Sequence, residues 1–555
     1  MATLVSPRSA HANSLELPQV TQNNLEISAQ RSDEVSANPT HLNSSKKPLE
    51  SFAVSDFKII GSTILSPQDL ESIAQSIPHK TATLADLNQA TDAITQLYAQ
   101  RGFATSRAIL PPQKLENNGT VTLQIIEGWL GEIQINGNQQ LQPSYVKSRL
   151  RLAAGSPLNL QKLEAQIRLL KSDSMVESIE VSLKAGTQPG ESILIVDLKE
   201  AKRYSSSLST DNYSSSDGLP EKTRLSARYL NPSGIGDELS FSSSVRSSQR
   251  EQDESTLPPN YDVSYRLPVN ARDGTIQLRA SLDDRLVGGA AFTDLGLRSR
   301  DEVYALTFRQ PLIQSLRQEF AVSLGFSAQR QQTFLFEDVP FPFNSTADAE
   351  GITQTRVLHL GQDYRRQDQA GVWNVSSVAN LGLGILDATQ HDGPTPDGQF
   401  FSWQLQGQRI QRFGSGNLLI AQGNLQLSPN SLLSSEQFNL GGGQSVRGYR
   451  QNVRSGDNGW RLSLEGRFPI VKSAQKRPIL QLTPFADAGA VWNTANNPSG
   501  SVEQGFLAGA GLGLLWQPSK AIGVRVDYGV PLVNLRDRSN GFQDSGLYFS
   551  VVSEN

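Results

Sequence analysis

The sequence predicts a membrane all-β protein: a 16-stranded antiparallel transmembrane β-barrel preceded by two small α+β domains. Three observations predict it. Residues 52–200 carry one β-α-α-β-β pattern twice. From Tyr204 onward apolar residues recur at every second position, the period of a strand. The connections between those alternating segments are short and long in turn.

The chain has 555 residues, enough for several domains or one very large one. A net charge of −4 gives no basic footprint for nucleic acid. With no cysteine, disulfide and thiol chemistry are absent. The five histidines (His11, His41, His79, His359, His391) include no i,i+4 pair, so no metal site is expected, and no cofactor. No run of about 18 apolar residues predicts a transmembrane helix, but alternating strands would leave none either. Residues 1–50 are polar and expected to be largely disordered. They hold an A-x-A site, Ala10-His11-Ala12, after an apolar stretch too short for a full secretory signal. This segment reads either as the remnant of a signal peptide that starts upstream or as a plain disordered start.

In the first small domain, residues 52–128, the strand "FAVSDFKIIG" precedes the helix "SPQDLESIAQSI", where Ser66 and Pro67 suit the cap and first turn. The second helix, "TLADLNQATDAITQLYAQRG", sets Leu84, Leu87, Ala90, Ile94 and Leu97 at i,i+3/i+4 spacing, and Gly102 ends it. Strands "ATSRAILP" and "GTVTLQIIEG" close the unit. Residues 129–200 repeat the order, from "LGEIQINGN" through two helices to "VESIEVSLKAG" and "ESILIVDLKE". A three-stranded sheet under two helices leaves edges free to accept a strand from an extended peptide, to be sought first on the first domain. A spacer without a client is the plainer alternative.

The alternation is clear in "TIQLRASLDD", where Ile276, Leu278, Ala280 and Leu282 oppose Gln277, Arg279, Ser281 and Asp283. "RLSLEGRF" likewise sets Leu462, Leu464 and Phe468 against Arg461, Ser463, Glu465 and Arg467. A soluble sandwich would bury the apolar face; a membrane barrel would turn it to lipid and keep the polar face wet. Connection lengths separate the two. Sixteen segments lie between 204 and 553; those after even segments are short ("NPSGI", "FGSGN", "QPSK"), and those after odd segments are mostly long ("EDVPFPFNSTADAEG", "NTANNPSGSVEQ"). A sandwich has no reason to sort loops by parity, whereas an outer-membrane barrel has short periplasmic turns and long external loops. The barrel is therefore expected over 204–555, its short turns on the side of the small domains.

Two β-α-α-β-β units ahead of such a barrel, with "VRGY" in a long loop, resemble the transporters of two-partner secretion, the hemolysin secretion/activation (TpsB; ShlB/FhaC/HecB) family, whose small domains are called POTRA domains. The resemblance covers about residues 52–553 and includes "YAQRGFATSRAILPPQ", "VTLQIIEG", "NPSGIGDELS", "GGGQSVRGY" and "FADAG". In the first POTRA the matching residues are Tyr98, Gly102, Ser106, Arg107 and Pro111. The resemblance implies export of one unfolded secreted exoprotein (TpsA-type), which binds the periplasmic POTRA domains, crosses the barrel and folds outside as a β-helix. It implies a monomer in outer-membrane lipid, with periplasmic chaperones as further partners and no catalytic residues. A plug helix in the lumen is common in the family; "LPQVTQNNLEISAQRSDEV" has only weak helical character.

Carried onto this chain, the resemblance implies that loop 429–457 folds inward with Val446, Arg447, Gly448 and Tyr449 at its tip, Arg447 meeting Asp487 on the inner wall. Period two supports that wall independently: Gln481, Thr483, Phe485, Asp487 and Gly489 share one face, and a carboxylate facing lipid would be costly. A guanidinium offers a carboxylate paired, charge-assisted hydrogen bonds. Glu465 is a candidate second acceptor. Gly448 and Gly441, Gly442 and Gly443 permit conformations or close approaches that bulkier residues resist. The rivals are a BamA-like outer-membrane insertase, which typically carries more POTRA units, and a passive porin, which leaves the small domains and the loop unexplained. An enzyme lacks support, since neither G-x-S-x-G nor a Walker motif occurs. Gly509–Gly513 lie in a strand, facing either lipid or lumen.

Overall fold

The computed structural model describes residues 54–555 apart from 76, 78–81, 115–118, 214–221, 247–258, 287–296, 337 and 539–540. The expectations for residues 1–50, including the signal remnant and the plug helix, lie outside the described residues. The described chain forms two compact units, 54–202 and 203–555.

The first unit holds two three-stranded sheets. One comprises β1 (Val54–Ile60), β2 (Arg107–Ile109) and β3 (Gly119–Ile126), with helices α1 (Pro67–Gln75) and α2 (Leu84–Gln100). The other comprises β4 (Trp129–Asn136), β5 (Val176–Ala185) and β6 (Glu191–Glu200), with α3 (Pro143–Arg151) and α4 (Leu160–Lys171). In each, the last strand is central, parallel to the first and antiparallel to the second. The helix starts are set locally: Thr83 and Asp86 form a reciprocal capping box at α2, and Asn159 caps α4. The buried face of α2 is Leu87, Ala90, Thr91, Ile94 and Tyr98. Leu84, expected there, is exposed in the first helical turn, and Leu97 lies at the margin.

The expected signature residues turn inward. Tyr98 is fully buried, and its hydroxyl donates to Glu127 at 2.7 Å, while Glu127 also accepts the Thr63 N–H and hydroxyl. Burial, with the adjacent Glu127 carboxylate, pushes the phenol above its usual range and keeps it a donor. Gly102 (φ 90°) ends α2 and its carbonyl accepts the Leu160 N–H at 2.9 Å; an added Cβ would lie 3.0 Å from the Asn159 amide. Ser106 Oγ accepts the Gly128 N–H at 2.9 Å, and the Gly128 carbonyl accepts the Leu158 N–H. These contacts pin the end of α2 to the start of α4 and so join the two small domains.

The second unit is a closed barrel of sixteen antiparallel strands. Its first eleven are β7 (Tyr204–Asp211), β8 (Lys222–Leu230), β9 (Glu238–Arg246), β10 (Asn260–Pro268), β11 (Thr275–Leu286), β12 (Arg298–Gln314), β13 (Gln318–Leu335), β15 (Ile352–Gln367), β16 (Gly371–Gly382), β17 (Phe401–Phe413) and β18 (Asn417–Leu427). A two-residue strand, β14 (Val339–Pro340), pairs with the end of β13 inside a long loop. The last five are β21 (Asn458–Lys472), β22 (Pro478–Trp492), β23 (Phe506–Trp516), β24 (Ile522–Pro531) and β25 (Leu547–Glu554), the last pairing with β7. Between β18 and β21, β19 (Phe438–Leu440) and β20 (Arg454–Gly456) form a separate ribbon.

Turns at the proximal end, where the chain passes into β7, run from three residues (315–317) to seven (231–237). Distal connections run from ten (212–221) to thirty (428–457). The outside is apolar, with Leu278, Leu462 and Leu512 about half exposed, while Thr483 and Asp487 on the inner face are buried. That inversion is what a lipid-facing surface requires. Two strand ends differ from expectation by more than two residues. β12 continues through Pro311, where a register shift absorbs the missing N–H. β16 stops at Gly382 rather than near 387, because Leu386 and Asp387 adopt positive φ.

Removing the Ser106 hydroxyl strips a buried amide of its acceptor, a loss of about 1–3 kcal/mol. Ser106→Ala is expected to raise hydrogen exchange at Gly128 and Leu160 while leaving α2 protected; unchanged exchange at both would refute the joint.

Candidate functional site

Loop 429–457 leaves the distal rim and descends into the lumen as the β19–β20 ribbon. Asp457, fully buried at its base, fixes the start: its carboxylate accepts the N–H groups of Leu432 and Thr494, the Thr494 hydroxyl and the Asn497 and Gln437 amides. A carboxylate can be buried on such terms because donors replace its water. Phe438, Leu440, Val446 and Tyr449 then pack with Val491, Leu507 and Leu535 into a small apolar cluster inside the barrel.

The tip meets the wall at Arg447. Its Nε donates to Asp487 Oδ2 at 2.7 Å and its Nη2 to Asp487 Oδ1 at 2.9 Å, a bidentate fork. The Arg447 backbone N–H adds a third bond to the same carboxylate, and Nη1 donates to Glu465 Oε2 at 3.0 Å. Beneath the guanidinium lies the Phe485 ring, its centroid 3.4 Å from Cζ. The residues named on the sequence, Arg447, Asp487, Glu465 and Phe485, are thus brought into one cluster. Gly489 lies beside it, where a Cβ would fall 2.6 Å from Leu440 of the ribbon.

The cluster is larger than the sequence reading foresaw. Glu465 also accepts from Arg467 Nε (3.0 Å) and Arg525 Nη2 (2.5 Å), and Arg525 Nε donates to Asp527 at 2.7 Å. Ser463 Oγ donates to Asp487 at 2.6 Å. Three guanidiniums (Arg447, Arg467, Arg525) face three carboxylates (Glu465, Asp487, Asp527), so the formal charge sums to zero. Neutral sum and shared hydrogen bonds are what allow six charges to be held away from bulk water. In "GVRVDYGV" the same alternation that placed Asp487 puts Arg525, Asp527 and Gly529 on one face; that signal was available.

Gly448 (φ 103°) sits where a Cβ would come 2.8 Å from Pro531 N. Its N–H donates to the Tyr548 hydroxyl at 2.8 Å, and that hydroxyl donates to the Tyr449 carbonyl at 2.6 Å. Tyr548, on the strand that closes the barrel, was not singled out in the sequence. Tyr449 Oη bonds the Ala508 carbonyl at 2.7 Å and accepts the Val533 N–H at 3.0 Å. Of the glycines left open between lipid and lumen, Gly509, Gly511 and Gly513 face the lumen. A Cβ there would meet the Arg447 carbonyl, the Phe485 ring and the Asp527 carboxylate respectively. These glycines make the room in which the tip sits.

Further out, Arg450 reaches Asp544 and Asp537, and Arg454 holds Asp537 in a two-point contact. The Arg454 hydrogen bond holds the Asp537 carboxyl down at about 2. Of the first-POTRA residues, Tyr98, Gly102 and Ser106 are internal, Pro111 is half-buried and Arg107 is exposed on β2.

Residues 190–515 match the haemolysin secretion/activation protein ShlB/FhaC/HecB family, and residues 52–128 match the ShlB-type POTRA domain. The heme/hemopexin transporter protein HuxB of Haemophilus influenzae (strain 86-028NP) is 22% identical over 502 residues, covering 86% of this chain and 82% of its own. The hemolysin transporter protein ShlB of Serratia marcescens is 25% identical over 477 residues, covering 81% and 78%. Among solved structures, CdiB from Escherichia coli shares the fold with a TM-score of 0.67 at 21% identity over 93% of each chain. With the family match extending over more than half of the chain, and with the barrel and the domain before it in the matching order, this protein belongs to the haemolysin secretion/activation protein ShlB/FhaC/HecB family.

Proposed function

We propose that this outer-membrane barrel exports an unfolded secreted polypeptide, a TpsA-type exoprotein, which engages the POTRA domains in the periplasm and then passes through the lumen. The observation that carries the reading is the loop folded into the lumen and fixed to its wall by Arg447 on Asp487 and Glu465. A passive pore would leave the two small domains ahead of the barrel without a use. The relatives' names, a hemolysin transporter and a heme/hemopexin transporter, support a secreted protein as cargo.

Backbone pairing is the expected first contact, since an unfolded chain offers little else in common. In the first POTRA, β2 is three residues long, the Ala108 N–H is taken by Thr95 Oγ1, and the Gln113 side chain brackets Thr122 on β3. Of the four edge strands, β5 of the second domain is the longest, ten residues against eight in β4, seven in β1 and three in β2. We therefore place strand addition on β5. A photo-crosslinker at Glu180 should capture extended partner peptide more strongly than one at Arg107; the reverse ranking returns the contact to the first domain.

Arg447→Ala leaves Asp487 buried without its guanidinium, while Glu465 keeps Arg467 and Arg525, and should weaken docking of the loop by about 3–5 kcal/mol. Secretion should fall sharply while the barrel still inserts and keeps its heat-modifiable mobility. Arg447→Lys should rescue only partly, because an ammonium has no planar fork. Undiminished secretion by both Arg447→Ala and Asp487→Ala would sink the latch. Tyr548→Phe keeps the ring but frees the Gly448 N–H and Tyr449 carbonyl; faster proteolysis of residues 444–450 is expected, about 1–3 kcal/mol of docking being lost.

One observation favours the insertase as a second reading. The β25–β7 seam has five residue pairs, against sixteen between β12 and β13, so it is a candidate lateral opening. The absence of cysteine makes the test clean. A disulfide from Ser209→Cys with Val552→Cys, which are partners across the seam, should leave secretion intact if cargo passes through the lumen. It should abolish function if the seam must part.

A further inference from the structure

The geometry points to a binding surface for anionic phospholipid headgroups on one sector of the proximal rim, across the turns 414–416, 473–477 and 517–521. These turns join β17 to β18, β21 to β22 and β22's neighbour β23 to β24, so they are successive around the barrel. They and the adjoining strand end carry Lys472, Lys476, Arg477 and Lys520, and no Asp or Glu lies in the three turns.

None of the four cations is in an ion pair among the described residues. On other sectors of this rim Arg409 is held by Asp368 at 2.7 Å, and Arg266 pairs with Glu238. In the uncompensated sector the cations bond sideways to carbonyls instead. Lys472 Nζ donates to the Ser415 carbonyl at 2.9 Å, and Arg477 Nη2 to the Pro518 carbonyl at 3.2 Å. Each contact crosses from one turn to the next and fixes the row along the rim. Carbonyls do not neutralise charge, and an ammonium has three N–H donors and a guanidinium five, so most of the donor capacity is unspent.

The level of the row relative to the bilayer follows from the residues just inside it. Phe413 and Phe468 pack edge to face at 6.0 Å on the outer surface, with Ile470, Trp516 and Ile522 exposed beside them. Aromatic side chains collect where hydrocarbon gives way to headgroups. Four cations directly beyond that girdle lie at headgroup depth, and the periplasmic leaflet there is phospholipid. A diester phosphate supplies the charge and acceptor oxygens that the row lacks. The surface thus takes phosphatidylglycerol-type lipid in preference to zwitterionic lipid.

The test uses the full chain in detergent micelles, with bound lipid counted by native mass spectrometry against short-chain phosphatidylglycerol or phosphatidylcholine. The native protein should retain phosphatidylglycerol roughly tenfold better. Lys472→Gln/Lys476→Gln/Arg477→Gln/Lys520→Gln should abolish that preference, Lys472→Arg/Lys476→Arg/Lys520→Arg should keep it, and Arg409→Gln, removing a compensated cation, should leave it unchanged. Heat-modifiable mobility reports folding. If the fourfold variant does not fold, Lys476→Gln/Lys520→Gln, which removes no side-chain bond seen in the structure, must still reduce the preference severalfold. Equal retention of the two lipids, or an unchanged preference in the Gln variants, would overturn the proposal. Displacement by millimolar inorganic phosphate would reassign the row to a free anion, and preferential capture of an acidic peptide would reassign it to protein.

Discussion

The inner architecture of the barrel depends on one constraint: a carboxylate on the lumen wall must be neutralised by a cation brought from outside the wall. Asp487 is buried, and strand alternation leaves it no outward alternative. Its cation stands at the tip of a thirty-residue connection, so satisfying one wall charge draws the whole loop into the lumen. The position of the β19–β20 ribbon, the apolar cluster around Tyr449 and the glycine face of β23 all accommodate that traverse. The fork fixes not only distance but orientation, since a planar guanidinium over the Phe485 ring has little rotational freedom left.

The barrel was legible because two independent signals agreed. Period two identified the strands, and parity-sorted connections excluded a sandwich; the observed strands begin and end within a few residues of the reading. It failed locally where the backbone broke its own pattern, at the Pro311 register shift and at the positive φ of Leu386 and Asp387. Such features are set by tertiary context and leave no mark on hydrophobic periodicity. Within the site, Arg447, Asp487 and Glu465 were legible from motif and face. Arg525 and Asp527 were legible in principle, being on the inward face of β24, but an alternating strand nominates every second residue and does not say which of them touch. Tyr548 was out of reach, because its role depends on which strand closes the barrel onto β7.

The POTRA domains give a different lesson. Three of the residues that carry the family signature on the sequence, Tyr98, Gly102 and Ser106, are spent on internal work. Tyr98 joins α2 to the end of β3 through Glu127, while Gly102 and Ser106 tie the first domain to the second. Their spacing looks like a signature because a joint needs fixed geometry as much as a binding site does. The outer strands of both sheets keep one edge without a strand neighbour.

The glycines of β23 carry a consequence of another kind. A methyl group at Gly509 would fall 2.0 Å from the Arg447 carbonyl, and one at Gly513 would fall 1.9 Å from Asp527 Oδ1. Neither residue bears charge or donates through a side chain, yet Gly509 sets how near the loop can lie to the wall, and Gly513 gives Asp527 its place beside the cluster. Mutational tolerance on this strand is therefore governed by volume, not by chemistry: a serine or alanine that any polarity scale would pass as conservative would unseat an ion pair two strands of side chains away from looking altered. On this strand the tightest steric limit falls where the residues are smallest.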